Sequence, residues 1–531
     1  KVSIDLESAR KKCRDQMQEL YEKTLKDLGL DHAKIFAAYD MLLGDQILFA
    51  PIRKRIENGD NPIAAVQEEC NKISQILSSK RGEYIRQRAD DIRYVGEMLV
   101  KTMSGTNDEL HLPSGNKPFI LASYELTPAD TMKIDVKRLG GLITELGGAT
   151  SHTVILAKSL GIPAVIGVKS IAEYLSSGET GILDGDLGEV IVDPDEETKK
   201  FYERKMQEDK LLKEKINDIK NNETTTKDGA RIQVCANIGN PDDLKQLNGM
   251  QFDGIGLFRS EFLYSSKSEK PSYEAQKEAY QKVIDTVYPN NVIIRTLDIG
   301  GDKVLSYLSL PKEENPFLGN RGIRLCLEHR DLFREQLKAI ITSAAGKTIK
   351  IMLPMITNIN EIDETRKELN CVKQELDEDG IPYSGDIRLG IMIETPASAI
   401  MAKSFAKHCD FFSIGTNDLI QYVMSADRGN SYVQNIYTPY HPAVIKMIAE
   451  TISAGNDAGI EVGVCGDLAS DTKFTSLLLG LGLKKFSVPG PMVGRIKFTI
   501  GNILISDAKK LAEKVLMMEN PEDIKKVLDD N

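Results

Sequence analysis

Phe411-Phe412-Ser413-Ile414-Gly415-Thr416-Asn417-Asp418 is the stretch whose reading decides the fold. A short apolar run of strand length gives way at its end to polar, loop-forming residues. The same pattern recurs through the second half of the chain, at 231–238, 254–259, 292–298, 349–355, 388–394, 411–416, 461–465 and, more weakly, 485–488. Helical segments separate the runs. Eight such alternations predict a closed (β/α)8 barrel of the TIM type. A doubly wound sheet is the alternative; the near-regular spacing favours closure. No internal sequence repeat is evident.

Barrels of this kind carry their chemistry at the C-terminal ends of the strands. Those ends hold Arg259, Arg295, the stretch Asp298-Ile299-Gly300-Gly301-Asp302, Glu394, Asn417-Asp418 and Cys465-Gly466-Asp467. Arg321 lies in a loop, and Arg428 follows in Ala426-Asp427-Arg428-Gly429. Four guanidinium groups suit a phosphate and a carboxylate, which arginine grips as a fork. Glu394 and Asp418 are hard oxygen ligands suited to Mg2+. Cys465 suits a proton donor, although a buried inert thiol is the plainer reading of a single cysteine. Taken singly, each charged residue also reads as a loop ion pair.

Upstream the period changes. Residues 195–222 are polar on most faces and predict a solvent-bridging linker helix. Residues 110–194 read as a compact α/β unit: strands at 119–122, 141–144 and 161–167, then a hairpin from 181 to 194. Within it, Gly147-Gly148-Ala149-Thr150-Ser151-His152-Thr153 opens a helix-like run. Helix N-termini favour anions, and a histidine there suits a nucleophile that takes up a phosphoryl group. A capped turn with a chance histidine is the other reading. Residues 1–109 show apolar spacings of three and four and predict about four helices, punctuated at Pro51 and at Gly59-Asp60-Asn61-Pro62. That module reads either as simple packing or as a docking surface. The remaining 223–531 form the barrel.

Composition removes several classes. The chain has 531 residues, enough for several domains, and a formal net charge of -11, which argues against general nucleic-acid or anionic-membrane binding. Its seven cysteines are scattered, with no C-x-x-C, as in a reduced cytoplasmic protein without disulfides or a zinc site. No apolar stretch is long enough to span a bilayer, and Lys1-Val2-Ser3-Ile4-Asp5 is no signal peptide. The absence of an initiator Met points to a lost natural N-terminus. Gly346-Lys347-Thr348 lacks the first glycine of a P-loop and precedes a strand; Gly254-Ile255-Gly256 lacks the third glycine of a dinucleotide fingerprint. Neither supports an ATP or NAD site.

Taken together, Gly147–Thr153, Gly256–Leu263, Arg295–Lys303, Glu314–Arg321, Glu394–Ala397, Phe411–Asp418, Ala426–Asn430 and Cys465–Ala469 resemble, in order, the enzyme I family of the bacterial sugar phosphotransferase system, the phosphoenolpyruvate–protein phosphotransferases. The resemblance covers essentially the whole chain. It implies a helical docking module for the phosphocarrier protein HPr, a swivelling phosphohistidine domain and a barrel that binds phosphoenolpyruvate with Mg2+. It implies that His152 takes the phosphoryl group, through Nε2, and that pyruvate leaves once its enolate is protonated by Cys465. Arg259, Arg295, Arg321, Asn417 and Arg428 would bind substrate, and Glu394 and Asp418 would hold Mg2+. It also implies a cytoplasmic homodimer joined through the barrels, and a further strand and loop ahead of Lys1. Departures are Ala149, where the family often has Arg, Asp467, where it usually has Glu, and Ala37-Ala38-Tyr39, where it often has Glu-x-His. Pyruvate phosphate dikinase and phosphoenolpyruvate synthase share the histidine domain and the barrel, but they carry a nucleotide-binding domain for which this chain has no room. A non-catalytic protein that kept the fold would not need the complete set of site residues.

Overall fold

The computed structural model describes all residues except 1–4, 28–29, 79–82, 106–111, 114, 125, 127–133, 136, 146–156, 158–160, 248, 266–268, 301–306, 309–312, 431 and 531. His152 and its motif, Gly147–Thr153, therefore lie outside the described residues. The chain divides into two units, Lys1–Met206 and Gln207–Asn531.

The first unit begins with five helices: α1 (Leu6–Asp27), α2 (Leu30–Gly44), α3 (Gln46–Glu57), α4 (Pro62–Ser78) and α5 (Glu83–Ser104). The sequence suggested about four. The extra break falls within one apolar run because Asp45 accepts the N–H of Ile47 and starts a new helix. Pro51 does not end a helix as expected; it lies inside α3. Apolar faces of this bundle meet around Met17, Phe36, Leu43, Phe49, Val66 and Leu99. Next, β1 (Phe119–Ser123), β2 (Leu139–Thr144) and β3 (Ala164–Ile166) form a parallel sheet, and β4 (Gly181–Asp184) pairs with β5 (Glu189–Val192) as the expected antiparallel hairpin. Helix α6 (Glu196–Ile219) buries none of its residues, as its polar sequence requires.

In the second unit, β6 (Gln233–Ile238), β7 (Gly254–Arg259), β8 (Asn291–Arg295), β9 (Thr348–Leu353), β10 (Asp386–Ile393), β11 (Phe411–Gly415), β12 (Glu461–Cys465) and β13 (Lys485–Pro489) pair in parallel, and β13 returns to β6. The barrel is closed, as the eight runs predict. Strand periodicity divides its residues into two sets. Residues such as Phe258, Ile294 and Ile414 face the surrounding helices and join the large outer core. Leu257, Ile293, Met352, Met392, Phe411 and Cys465 form a separate cluster inside the barrel. Two residues further along the same strands, the same face carries Arg259, Arg295 and Glu394. Period two therefore delivers these groups to the C-terminal mouth. At the opposite end of the interior, Lys350 and Lys485 both donate to Glu461 Oε1, at 3.0 and 2.7 Å. A charged layer, an apolar layer and a polar mouth follow one another along the barrel axis.

Candidate active site

Arg295 ends β8 and is 9% exposed. Its Nη2 donates to Glu261 Oε1 at 2.9 Å, and its Nη1 lies 3.0 Å from Asp298 Oδ2. Arg321 approaches from the loop after β8; its Nη2 lies 2.9 Å from the same Asp298 oxygen, and its Nη1 donates to Asp418 Oδ1 at 3.3 Å and to the Tyr422 hydroxyl at 3.2 Å. The approach depends on Gly300, whose φ is +128° and at which a Cβ would stand 2.5 Å from that of Arg321. Burial works against the charge of each guanidinium. The surrounding carboxylates, Glu261 and Asp298 foremost for Arg295 and Asp298 and Asp418 for Arg321, outweigh it and hold both pKa values above the ordinary one. Both groups thus stand fully charged and preorganised for an anion.

Glu394, just past β10, is completely buried. Thr395 caps the short helix that follows, accepting the N–H of Ser398 at 3.1 Å, and its hydroxyl ties this turn to Ile356 O at 2.8 Å. Met355, in the left-handed region at φ +60°, donates its N–H to Glu394 Oε1 at 2.6 Å. A non-glycine residue held there is strain of the kind found at functional sites. The other oxygen, Oε2, is buried without a hydrogen-bond partner. Gly415 leaves room beside it, since a Cβ there would stand 3.0 Å from Oε2. Burial first, then the charges of Asp418 and Asp298, push the Glu394 carboxyl up to about 8. Asp418, on α7 (Thr416–Met424), is 7% exposed. A buried carboxylate with an orphaned oxygen beside a second carboxylate fits a divalent cation, which would offset the burial of the Glu394 charge.

Cys465 ends β12, is 2% exposed, and receives a hydrogen bond from the Ser413 hydroxyl at 3.3 Å. Burial pushes its thiol up; the Ser413 bond, Arg295 and Arg259 act the other way. Asn417 clasps the turn after Cys465: its Nδ2 lies 3.1 Å from Asp467 Oδ2, and its Oδ1 accepts the Asp467 N–H at 2.9 Å. Arg259 and Arg428 are exposed, Arg259 at the end of β7 and Arg428 just beyond α7, against the Tyr437 hydroxyl. The structure therefore gathers Arg295, Arg321, Glu394 and Asp418 into one buried cluster, places Cys465 within their field, and leaves Arg259 and Arg428 at the surface. Sequence reasoning missed Glu261, Asp298 and Tyr422 as partners of the arginines. The signal was the company of a carboxylate with each strand-end arginine: Glu261 follows Arg259 by two residues, and Asp298 follows Arg295 by three.

Comparison with known proteins settles the family. Residues 3–88, 115–188 and 213–505 match three successive family descriptions: PEP-utilising enzyme, N-terminal; PEP-utilising enzyme, mobile domain; and PEP-utilising enzyme, PEP-binding domain. The phosphoenolpyruvate-protein phosphotransferase of Bacillus subtilis (strain 168) is 40% identical over 96% of this chain and 90% of its own length. The chain belongs to the phosphoenolpyruvate-protein phosphotransferase family. The protein of the same name from Priestia megaterium is 40% identical, covering 98% of this chain and 91% of its own, and that of Staphylococcus carnosus is 38% identical, covering 97% and 90%. The family's PEP-binding segment contains all eight barrel strands, so the buried cluster sits in the part of the chain that carries that description. The mobile-domain segment contains His152. Among the described residues no helix is long and apolar enough to cross a membrane.

Proposed function

We propose that the chain transfers the phosphoryl group of phosphoenolpyruvate to its own His152, releases pyruvate, and passes the phosphoryl group to a histidine of the phosphocarrier protein HPr, the first step of the sugar phosphotransferase system. The observation that carries this reading is the pair of buried, carboxylate-held guanidinium groups, Arg295 and Arg321, beside the orphaned oxygen of Glu394. Phosphoryl transfer asks a protein mainly for positioning and charge neutralisation. Arg295 and Arg321 receive the phosphate and carboxylate of the substrate, with Arg259, Arg428 and Asn417 completing the contact from the mouth. Glu394 and Asp418 would hold Mg2+, which would supply charge neutralisation for the substrate oxygens. As the bridging P–O bond breaks, its electron pair stays on the enolate oxygen and the imidazole Nε2 of His152 bonds to phosphorus. The Cys465 thiol then gives its proton to the enolate carbon, and the product leaves as the ketone.

One histidine meets two partners in turn, so the segment that carries it has to move between them. Segment 110–194 is the phosphohistidine domain, 195–222 the linker, 1–109 the HPr-docking module and 223–531 the phosphoenolpyruvate-binding and dimerising barrel. The protein works in the cytoplasm as a homodimer joined through the barrels, and its cysteines are all free thiols. Incubation with phosphoenolpyruvate labelled on phosphorus, with Mg2+, should label the native chain and leave His152→Ala unlabelled. Equal labelling of both removes His152 from the mechanism, and labelling that persists undiminished in a chelator removes Mg2+.

A further inference from the structure

One end of β11 clasps Cys465 from three directions. Ser413, 3% exposed, points inward and sits one interior step below the cysteine, since Gly415 is the residue in register with Cys465 and Ser413 pairs with Gly463. Its hydroxyl donates to the sulfur at 3.3 Å. The sulfur in turn stands 3.6 Å from Ile414 O. Thr416 Oγ1 donates to the Cys465 carbonyl at 3.1 Å, and Asn417 holds the next residue but one, Asp467. Beneath the thiol the barrel interior is apolar, built of Leu257, Ile293, Met352, Met392 and Phe411. Burial there disfavours a thiolate. Among the described residues, Ser413 supplies the side-chain hydroxyl that reaches the sulfur.

We propose that Ser413 is a positioning residue for the proton transfer: it fixes the orientation of the Cys465 thiol and stabilises the thiolate left when the proton is delivered. The inference rests on the reading of Cys465 as the proton donor. In the step, the S–H bond breaks and its electron pair stays on sulfur. The enolate oxygen re-forms its C=O bond, and the carbon–carbon π pair takes the proton at the terminal carbon. Ser413 keeps its own proton throughout and donates a charge-assisted hydrogen bond to the thiolate. Water later restores the thiol.

The proton transfer can be followed alone, as exchange of the pyruvate methyl protons for deuterium in D2O with Mg2+ present, read by NMR. Ser413→Ala should slow this exchange about 10- to 100-fold, the scale expected for losing a hydrogen bond to a charged group. It should leave single-turnover phosphorylation of the protein within about twofold, because that step does not use the thiol. Ser413→Thr, which keeps the hydroxyl, should restore most of the exchange. Native-rate exchange in Ser413→Ala overturns the inference, and so does a variant that loses exchange and phosphorylation by the same factor, which marks a merely structural role. Cys465→Ala separates the two readings: if it exchanges at the native rate, the donor assignment itself fails; if it does not exchange while Ser413→Ala does so normally, only the role of Ser413 falls.

Discussion

Glu394→Gln should stabilise the metal-free protein while removing its response to Mg2+. The carboxyl is fully buried, one oxygen holds the Met355 N–H at 2.6 Å, and the other has no partner. Burial and the charges of Asp418 and Asp298 push it up to about 8. With its folded pKa above its unfolded value, the folded state holds the proton longer than the unfolded chain. Metal-free stability therefore falls as pH rises from the ordinary carboxylate range towards about 8. At about 1.4 kcal/mol per pKa unit, the strain at pH 8 is on the order of 4 kcal/mol. Glutamine keeps the oxygen that accepts from Met355, has nearly the same volume and cannot ionise. In calorimetry of the full chain with a chelator, the variant should match the native protein near pH 5 and unfold several degrees higher at pH 8. With Mg2+ the order should reverse, because binding stabilises only a state that can bind. A variant that is no more stable at pH 8 without metal, or one that Mg2+ protects as fully as the native chain, refutes the reasoning.

Two further perturbations test the scaffold beneath the site. Glu461→Gln leaves the ammonium groups of Lys350 and Lys485 inside the barrel without their carboxylate, and should cost about 3–5 kcal/mol near pH 7. Cys235 and Glu461 together hold Lys485 up against burial, whereas burial and Lys485 already hold Lys350 low, so losing the Glu461 charge should lower both lysines and leave Lys350 further below an unfolded lysine. The loss should then shrink as pH rises through those lowered values; urea unfolding showing the same loss at pH 7 and pH 10 would speak for a packing effect instead. Gly466→Ala puts a side chain at φ +98°, with Cβ 2.5 Å from Thr416 Oγ1 and 2.8 Å from Asn417 Oδ1. It should cost about 2–3 kcal/mol and displace Cys465, so pyruvate methyl exchange at the native rate in this variant would show that the clasp does not set the thiol's position.

The relation between sequence and site is uneven along the chain. The eight strands were legible because residues buried on both faces of a parallel strand make continuous apolar runs, and their ends announce themselves by turning polar. Arg259, Arg295, Glu394 and Cys465 were legible as strand-end residues for the same reason. The break at Asp45 and the tolerated Pro51 were not, because apolar spacing continues across both, and local capping decides where one helix stops.

By itself, then, the chain determined its order of elements, the closure of the barrel and the chemical types waiting at its mouth, because these follow from local periodicity and from residue identity. Only the tertiary structure decided which charges touch. Arg295 meets Glu261 from a position 34 residues away, Arg321 meets Asp418 from a position 97 residues away, and Glu394 keeps one oxygen buried without a partner. Such pairings are set by the closure of the barrel, which brings the ends of distant strands within hydrogen-bond reach, and it is their burial that turns ordinary carboxylates, guanidinium groups and a thiol into a site with perturbed charge.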